Sequence, residues 1–107
     1  MDALKASVCA AIDANRDKII SIGEEIFRHP ELGYQEFKTS EFITDLFVRL
    51  GLEDISRHAI TGIRGILPGR NHLARLAIMG ELDAVISPTH PFADPVSGAA
   101  HACGHNT

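Results

Sequence analysis

The segment HACGHNT, residues 101–107, places a cysteine and two histidines within five residues. Cys103 and His105 offer a thiolate and an imidazole on either side of Gly104. The glycine lets the backbone bend so that both side chains can face one point. Thiolate sulfur and imidazole nitrogen are good donors to zinc and similar divalent ions. Two donors do not make a site, because structural and catalytic metal sites use three or four protein ligands. The other candidates in the chain are Glu81, Asp83, His90, Asp94 and His101. A closed site can be built from these, although nothing in their spacing demands it. A second option places the missing ligands beyond Thr107. A third reads Cys103 as a nucleophile with His105 as its base. Against all three stand a chance pairing in a loop and two ordinary solvated loop acids.

The elements that must position these residues are legible in the hydrophobic pattern. Leu4, Val8, Ala11, Ile12, Ile19, Ile22 and Ile26 recur at helical steps, predicting a long first helix that Asp2 can cap. Pro30 cannot continue the ladder, so that helix should stop near Arg28 or His29. PELGYQE reads as a turn. EFKTSEFITDLFVRLGL predicts a second helix with the stripe Phe42, Ile43, Leu46, Phe47 and Leu50, closed by Gly51 as its C′ residue. EDISRHA and TGIRGILPG fit strands better than helices. HLARLAIMG reads as a buried strand centred on residues 73–79. From Glu81 onward, three prolines and two glycines give a loop-like texture. A loop this long usually has a function or no order. It follows directly after the predicted strand, and the crevice beyond strand ends is where α/β folds place their sites. That position favours Asp83, Cys103 and His105. The expected fold is α/β, with two helices packed on one face of a mostly parallel sheet.

The bulk properties exclude several classes. The chain has 107 residues, 45% of them hydrophobic, which suits one modest globular unit. A net charge of −4 and scattered basic residues argue against nucleic acid and against an anionic membrane surface. No stretch is long and apolar enough for a membrane span. Two cysteines are too few for a disulfide framework, and Cys9 in SVCAAI reads as a small buried hydrophobe. With no leader-like segment at the start, a cytoplasmic location is the default expectation.

Three motifs carry a resemblance to a known family. HPELGYQE, followed by TSEFITDLFVRLGL, looks like the opening of M20-type metallopeptidases and aminoacylases. GELDAV, residues 80–85, resembles the family segment that ends a central strand on an acidic residue. HPFADPVSGAAHACGHN, residues 90–106, looks like the amidohydrolase branch that includes aminobenzoyl-glutamate, hippurate and auxin-conjugate hydrolases.

The resemblance implies a catalytic α/β domain that binds two divalent metals, zinc or manganese, and an inserted lid that often mediates dimerisation. It implies that Cys103 and His105 are metal ligands and that Asp83 stands at the metal centre and helps to orient it. Glu81 falls where other branches place a metal-binding histidine, and Asn106 stands where an aspartate is common. The family's Glu-Glu pair, which supplies the general base and a ligand, is not found after the CGH motif here, nor is the lid. Residues 1–107 therefore read as the N-terminal, truncated part of a metallopeptidase catalytic domain, with its mostly parallel sheet flanked by helices. The complete protein is expected to hydrolyse amides of N-acyl amino acids or short peptides and to dimerise through a domain absent here. The alternatives are a non-catalytic fold remnant and a small metal-binding or interaction module.

Overall fold

The computed structural model of the chain describes residues 2–107. Its helices are α1 (Ala3–Ala14), α2 (Arg16–Arg28) and α3 (Phe37–Arg49), and its strands are β1 (Glu53–His58), β2 (Gly62–Ile66), β3 (Val85–Ile86) and β4 (Ala99–Ala100). The expected first helix is thus two helices, broken at Asn15. Asp2 caps α1, accepting from the Lys5 amide at 2.9 Å. The α1 helix buries no residue, so its apolar stripe faces solvent, and Cys9 is exposed rather than buried.

The predicted end of α3 is observed in detail. Leu50 is the cap and Gly51 takes a φ of +76°. The Gly51 amide donates to Val48 O at 3.1 Å and the Leu52 amide to Phe47 O at 3.0 Å. This paired pattern is a Schellman motif, and it needs a residue that tolerates the left-handed region. The start of α3 is less ordinary. Glu36 makes no side-chain cap. Glu31 reaches over from the PEL turn instead, and its carboxylate accepts from the Thr39 amide at 2.7 Å, from Thr39 Oγ1 at 2.7 Å and from the Lys38 amide at 3.1 Å.

The sheet expectation is overturned. Strands β1 and β2 form one antiparallel hairpin, and β3 and β4 form another. The one parallel pairing among the described residues is an isolated bridge between Leu32 and Ala84. Residues 73–79, expected as the buried strand, form no strand. Leu73, Leu76, Ile78 and Met79 are each at least 90% exposed. The physical reason is that a central parallel strand needs a neighbour along each edge and a cover on each face. The described residues supply neither to this segment. A near-continuous apolar run reports a demand for burial, not the presence of the partner that would meet it.

The core is small and lies where α2 meets the β3–β4 hairpin. It contains Ile26, Ala84, Ala99 and Ala100. Phe27, near the end of α2, packs edge-on against Phe92, with ring centroids 5.3 Å apart, and against His90 at 6.2 Å. The connection between β3 and β4 is ordered by Asp94. Its Oδ1 accepts from the Val96 amide, the Ser97 amide and Ser97 Oγ at 2.7–3.0 Å. These donors hold the Asp94 carboxyl below its ordinary pKa, the Ser97 amide contributing most.

Candidate metal centre

Two devices bring the site together. The first is the backbone around Ala84. Its amide donates to Glu31 O at 2.7 Å, and Ala84 bridges to Leu32. Glu31 therefore joins the start of α3 through its side chain and fixes the approach to β3 through its carbonyl. The second is the β3–β4 register, which sets Val85 opposite Ala100. Asp83 precedes β3 by two residues and His101 follows β4 directly, so the hairpin carries both to the same end. The last residues are then drawn against α2. Asn106 Nδ2 lies 3.4 Å from Gly23 O, and a Cβ at Gly23 would sit 3.2 Å from the Asn106 carbonyl oxygen.

The result is a cluster of Glu81, Asp83 and His105, whose donor atoms lie within 4.8 Å of one another. His105 Nδ1 is 2.9 Å from Asp83 Oδ1, and His105 Nε2 is 3.7 Å from Glu81 Oε2. The hydrogen bond to Asp83 raises the His105 pKa above its ordinary value. Partial burial opposes this, and the Asp83 and Glu81 charges add to it. One imidazole and two carboxylates suit zinc, manganese or a similar borderline-to-hard divalent ion. A carboxylate on one ring nitrogen fixes the tautomer and leaves the other nitrogen for a cation.

Of the residues expected from the sequence, Asp83 and His105 are brought together. Glu81, another of the candidate acids, joins them. Cys103 is exposed and stands outside the cluster, on the loop two residues before His105. His90 and Asp94 are occupied in the β3–β4 connection. Beside Asp83 and Glu81 lies an open hollow of about 350 Å³, also lined by Tyr34, Glu36, Ala59 and Thr61. Thr61 Oγ1 donates to Glu36 Oε2 at 2.7 Å, tying the β1–β2 turn to the start of α3. Tyr34, Ala59 and Ile60 all have positive φ, which is uncommon for residues with a Cβ. No composition cue marked these positions, because none is the glycine or asparagine that such geometry prefers.

His101 is the residue whose environment the sequence least revealed. It is 5% exposed, and neither ring nitrogen has a hydrogen-bond partner. The Ile26 backbone lies beside the ring and favours its charged form, without the geometry of a well-formed hydrogen bond. Burial depresses its pKa, the neighbouring His105 charge adds to the depression and Asp83 opposes it. Leaving such a buried polar group unsatisfied costs about 1–3 kcal/mol.

Sequence comparison places these features among known hydrolases. Thermostable carboxypeptidase 1 of Saccharolobus solfataricus is 34% identical over 96 residues, covering 85% of this chain and 24% of its own length. The N-acyl-L-amino acid amidohydrolase of Geobacillus stearothermophilus is 30% identical over 105 residues, covering 95% of this chain and 28% of its own length. IAA-amino acid hydrolase ILR1-like 5 of Arabidopsis thaliana is 30% identical over 95 residues, covering 84% and 21% respectively. The chain thus spans about a quarter of the length of these relatives. No family model matches it, and no solved structure matches it. The chain is thus similar, over most of its own length, to carboxypeptidases and amidohydrolases. No helix among the described residues is long and apolar enough to cross a membrane.

Proposed function

We propose that this chain is the metal-binding part of a metal-dependent hydrolase that cleaves amide bonds in N-acyl amino acids or short peptides. The observation that carries the reading is the Glu81–Asp83–His105 cluster, in a sequence related to carboxypeptidases and amidohydrolases. A bound divalent ion would supply Lewis acidity toward water and the amide carbonyl. Asp83 holds the His105 ring through Nδ1 and keeps negative charge beside it. Glu81, largely exposed, can turn toward a cation shared with His105. Cys103 lies on the same loop and would add a thiolate to a bound cation. The branch suggested by HACGHN is the one acting on aminobenzoyl-glutamate, hippurate and auxin conjugates. Residues 1–107 form part of a catalytic domain, and two ions, zinc or manganese, would occupy the complete enzyme.

The general base lies outside these residues, so the isolated chain should bind a cation without turning over substrate. Calorimetry and metal analysis of the purified chain test the first half. Asp83→Asn and His105→Ala should each lower bound zinc or manganese. Incubation of the metal-loaded chain with hippurate and with dipeptides tests the second half. Chelator-sensitive turnover would overturn the assignment of the base elsewhere, and full metal occupancy in both variants would overturn the cluster.

A further inference from the structure

We propose that His101 is a nitrogen ligand of the same cation, giving the site two imidazoles, His101 and His105, from one short loop. This inference rests on the metal reading of the Glu81–Asp83–His105 cluster and adds a residue that the cluster itself does not contain.

The placement comes from the hairpin. Val85 pairs with Ala100, so His101 emerges from β4 beside the start of β3, one rung from Asp83. Four residues later the same loop delivers His105 to Asp83 at 2.9 Å. His101 follows β4 directly and His105 touches Asp83, so both rings lie at the end of the hairpin that carries Asp83. Its burial gives the placement its chemical meaning. A histidine that serves packing alone is ordinarily hydrogen-bonded to a backbone group when it is buried. His101 is 5% exposed, and neither ring nitrogen makes a well-formed hydrogen bond, the Ile26 backbone being the one polar group beside it. An imidazole nitrogen is among the commonest donors to divalent ions. His101 lies outside the three donors already gathered within 4.8 Å, so coordination would draw its ring in to join them.

Cobalt(II) added to the 107-residue chain is the probe, because X-ray absorption at the cobalt edge counts imidazole ligands directly. The expected result is two imidazoles in the unaltered chain and one in His101→Ala, with cobalt bound at least about tenfold more weakly by the variant. His90→Ala, whose ring belongs to the aromatic contact with Phe27, should leave both readings unchanged. One imidazole in the unaltered chain overturns the proposal, as does equal affinity in His101→Ala. Should His101→Ala lose its helical circular dichroism, the count in the unaltered chain still decides. The two readings fail differently. Cobalt binding that survives both Asp83→Asn and His105→Ala defeats the metal cluster and His101 with it. Binding that needs Asp83 and His105 but shows a single imidazole defeats His101 alone.

Discussion

His105 Nδ1 lies 2.9 Å from Asp83 Oδ1, a contact that joins residues 22 positions apart and closes the last loop onto the approach to β3. The bond favours the protonated ring, so the His105 pKa is raised. A histidine whose folded pKa lies above its unfolded value near 6.5 stabilises the fold fully below that value, and the contribution is lost as pH rises through the folded pKa. Asp83→Asn should return the His105 pKa toward the ordinary range. A histidine NMR titration of both chains reads this directly, and an unmoved His105 would show that the contact is not made in solution.

His101 works in the opposite sense. Its folded pKa is depressed by burial, so the unfolded chain binds the proton more readily. Stability from this group is present above its unfolded pKa near 6.5 and declines as pH falls below that value. Thermal unfolding midpoints measured from about pH 7 to about pH 5 should therefore fall in the unaltered chain. In His101→Asn the fall should be shallower, because the titrating group is gone while His105 still favours acid. Parallel curves for the two chains would count against a buried neutral imidazole.

Much of the local structure was legible in the sequence. Asp2 as a cap, Pro30 as a stop, and Gly51 as a C′ residue rest on short-range rules, and each is found in place. That EDISRHA and TGIRGILPG hold strands was legible from their residues, but their antiparallel pairing as a hairpin was not. The parallel sheet failed because it depends on long-range partners. Residues 73–79 carry the composition of a central strand, but composition cannot supply neighbours. The break at Asn15 falls in the one wider gap of the apolar stripe, between Ile12 and Ile19, and was missed because the stripe resumes in helical register beyond it. Of the residues singled out by type and position, Asp83 and His105 stand in the cluster and Cys103 stands outside it. The cap by Glu31 was not legible, since a carboxylate six residues before the first helical residue matches no local capping pattern.

The Glu31 cap is open to test. Its carboxylate accepts three hydrogen bonds at the start of α3, two from backbone amides that would otherwise have no intrahelical partner. Glu31→Ala should destabilise the chain by about 1–2 kcal/mol, the range for loss of a good cap. Glu31→Gln keeps one acceptor oxygen and should lose less. Urea unfolding followed by circular dichroism separates the two. Equal loss in both variants would assign the effect to charge rather than to capping.

The exposed apolar segment should show itself by its accessibility. Residues 67–80 are exposed throughout and belong to no helix or strand, and Arg70 and Arg75 lie within them. Brief trypsin treatment should cut after these two arginines before Arg28 or Arg49, which end helices. Mass spectrometry of the first fragments gives the order. Early protection of Arg70 and Arg75 would mean that the segment is covered in solution, by a second copy of the chain or by a rearranged strand. Repeating the digestion at lower protein concentration separates those two causes.

The two cysteines offer the sharpest test of the metal assignment. Both are exposed, so both are open to a thiol reagent in the metal-free chain. Only Cys103 shares a loop with His105, whereas Cys9 lies on α1, which buries nothing. If Cys103 joins the cation, adding cobalt should slow its alkylation and leave Cys9 unchanged. A thiolate bound to cobalt(II) should also give an ultraviolet charge-transfer band that disappears in Cys103→Ser and persists in Cys9→Ser. A serine hydroxyl stays protonated near neutral pH, so it is a far weaker ligand of almost the same size. His105→Ala should weaken cobalt binding whether or not Cys103 takes part, because its ring is already held in the cluster. Loss of metal in His105→Ala with no thiolate band in the unaltered chain would restrict the site to nitrogen and oxygen donors. Loss of the band in Cys9→Ser would assign the thiolate to α1, away from the loop that carries His105.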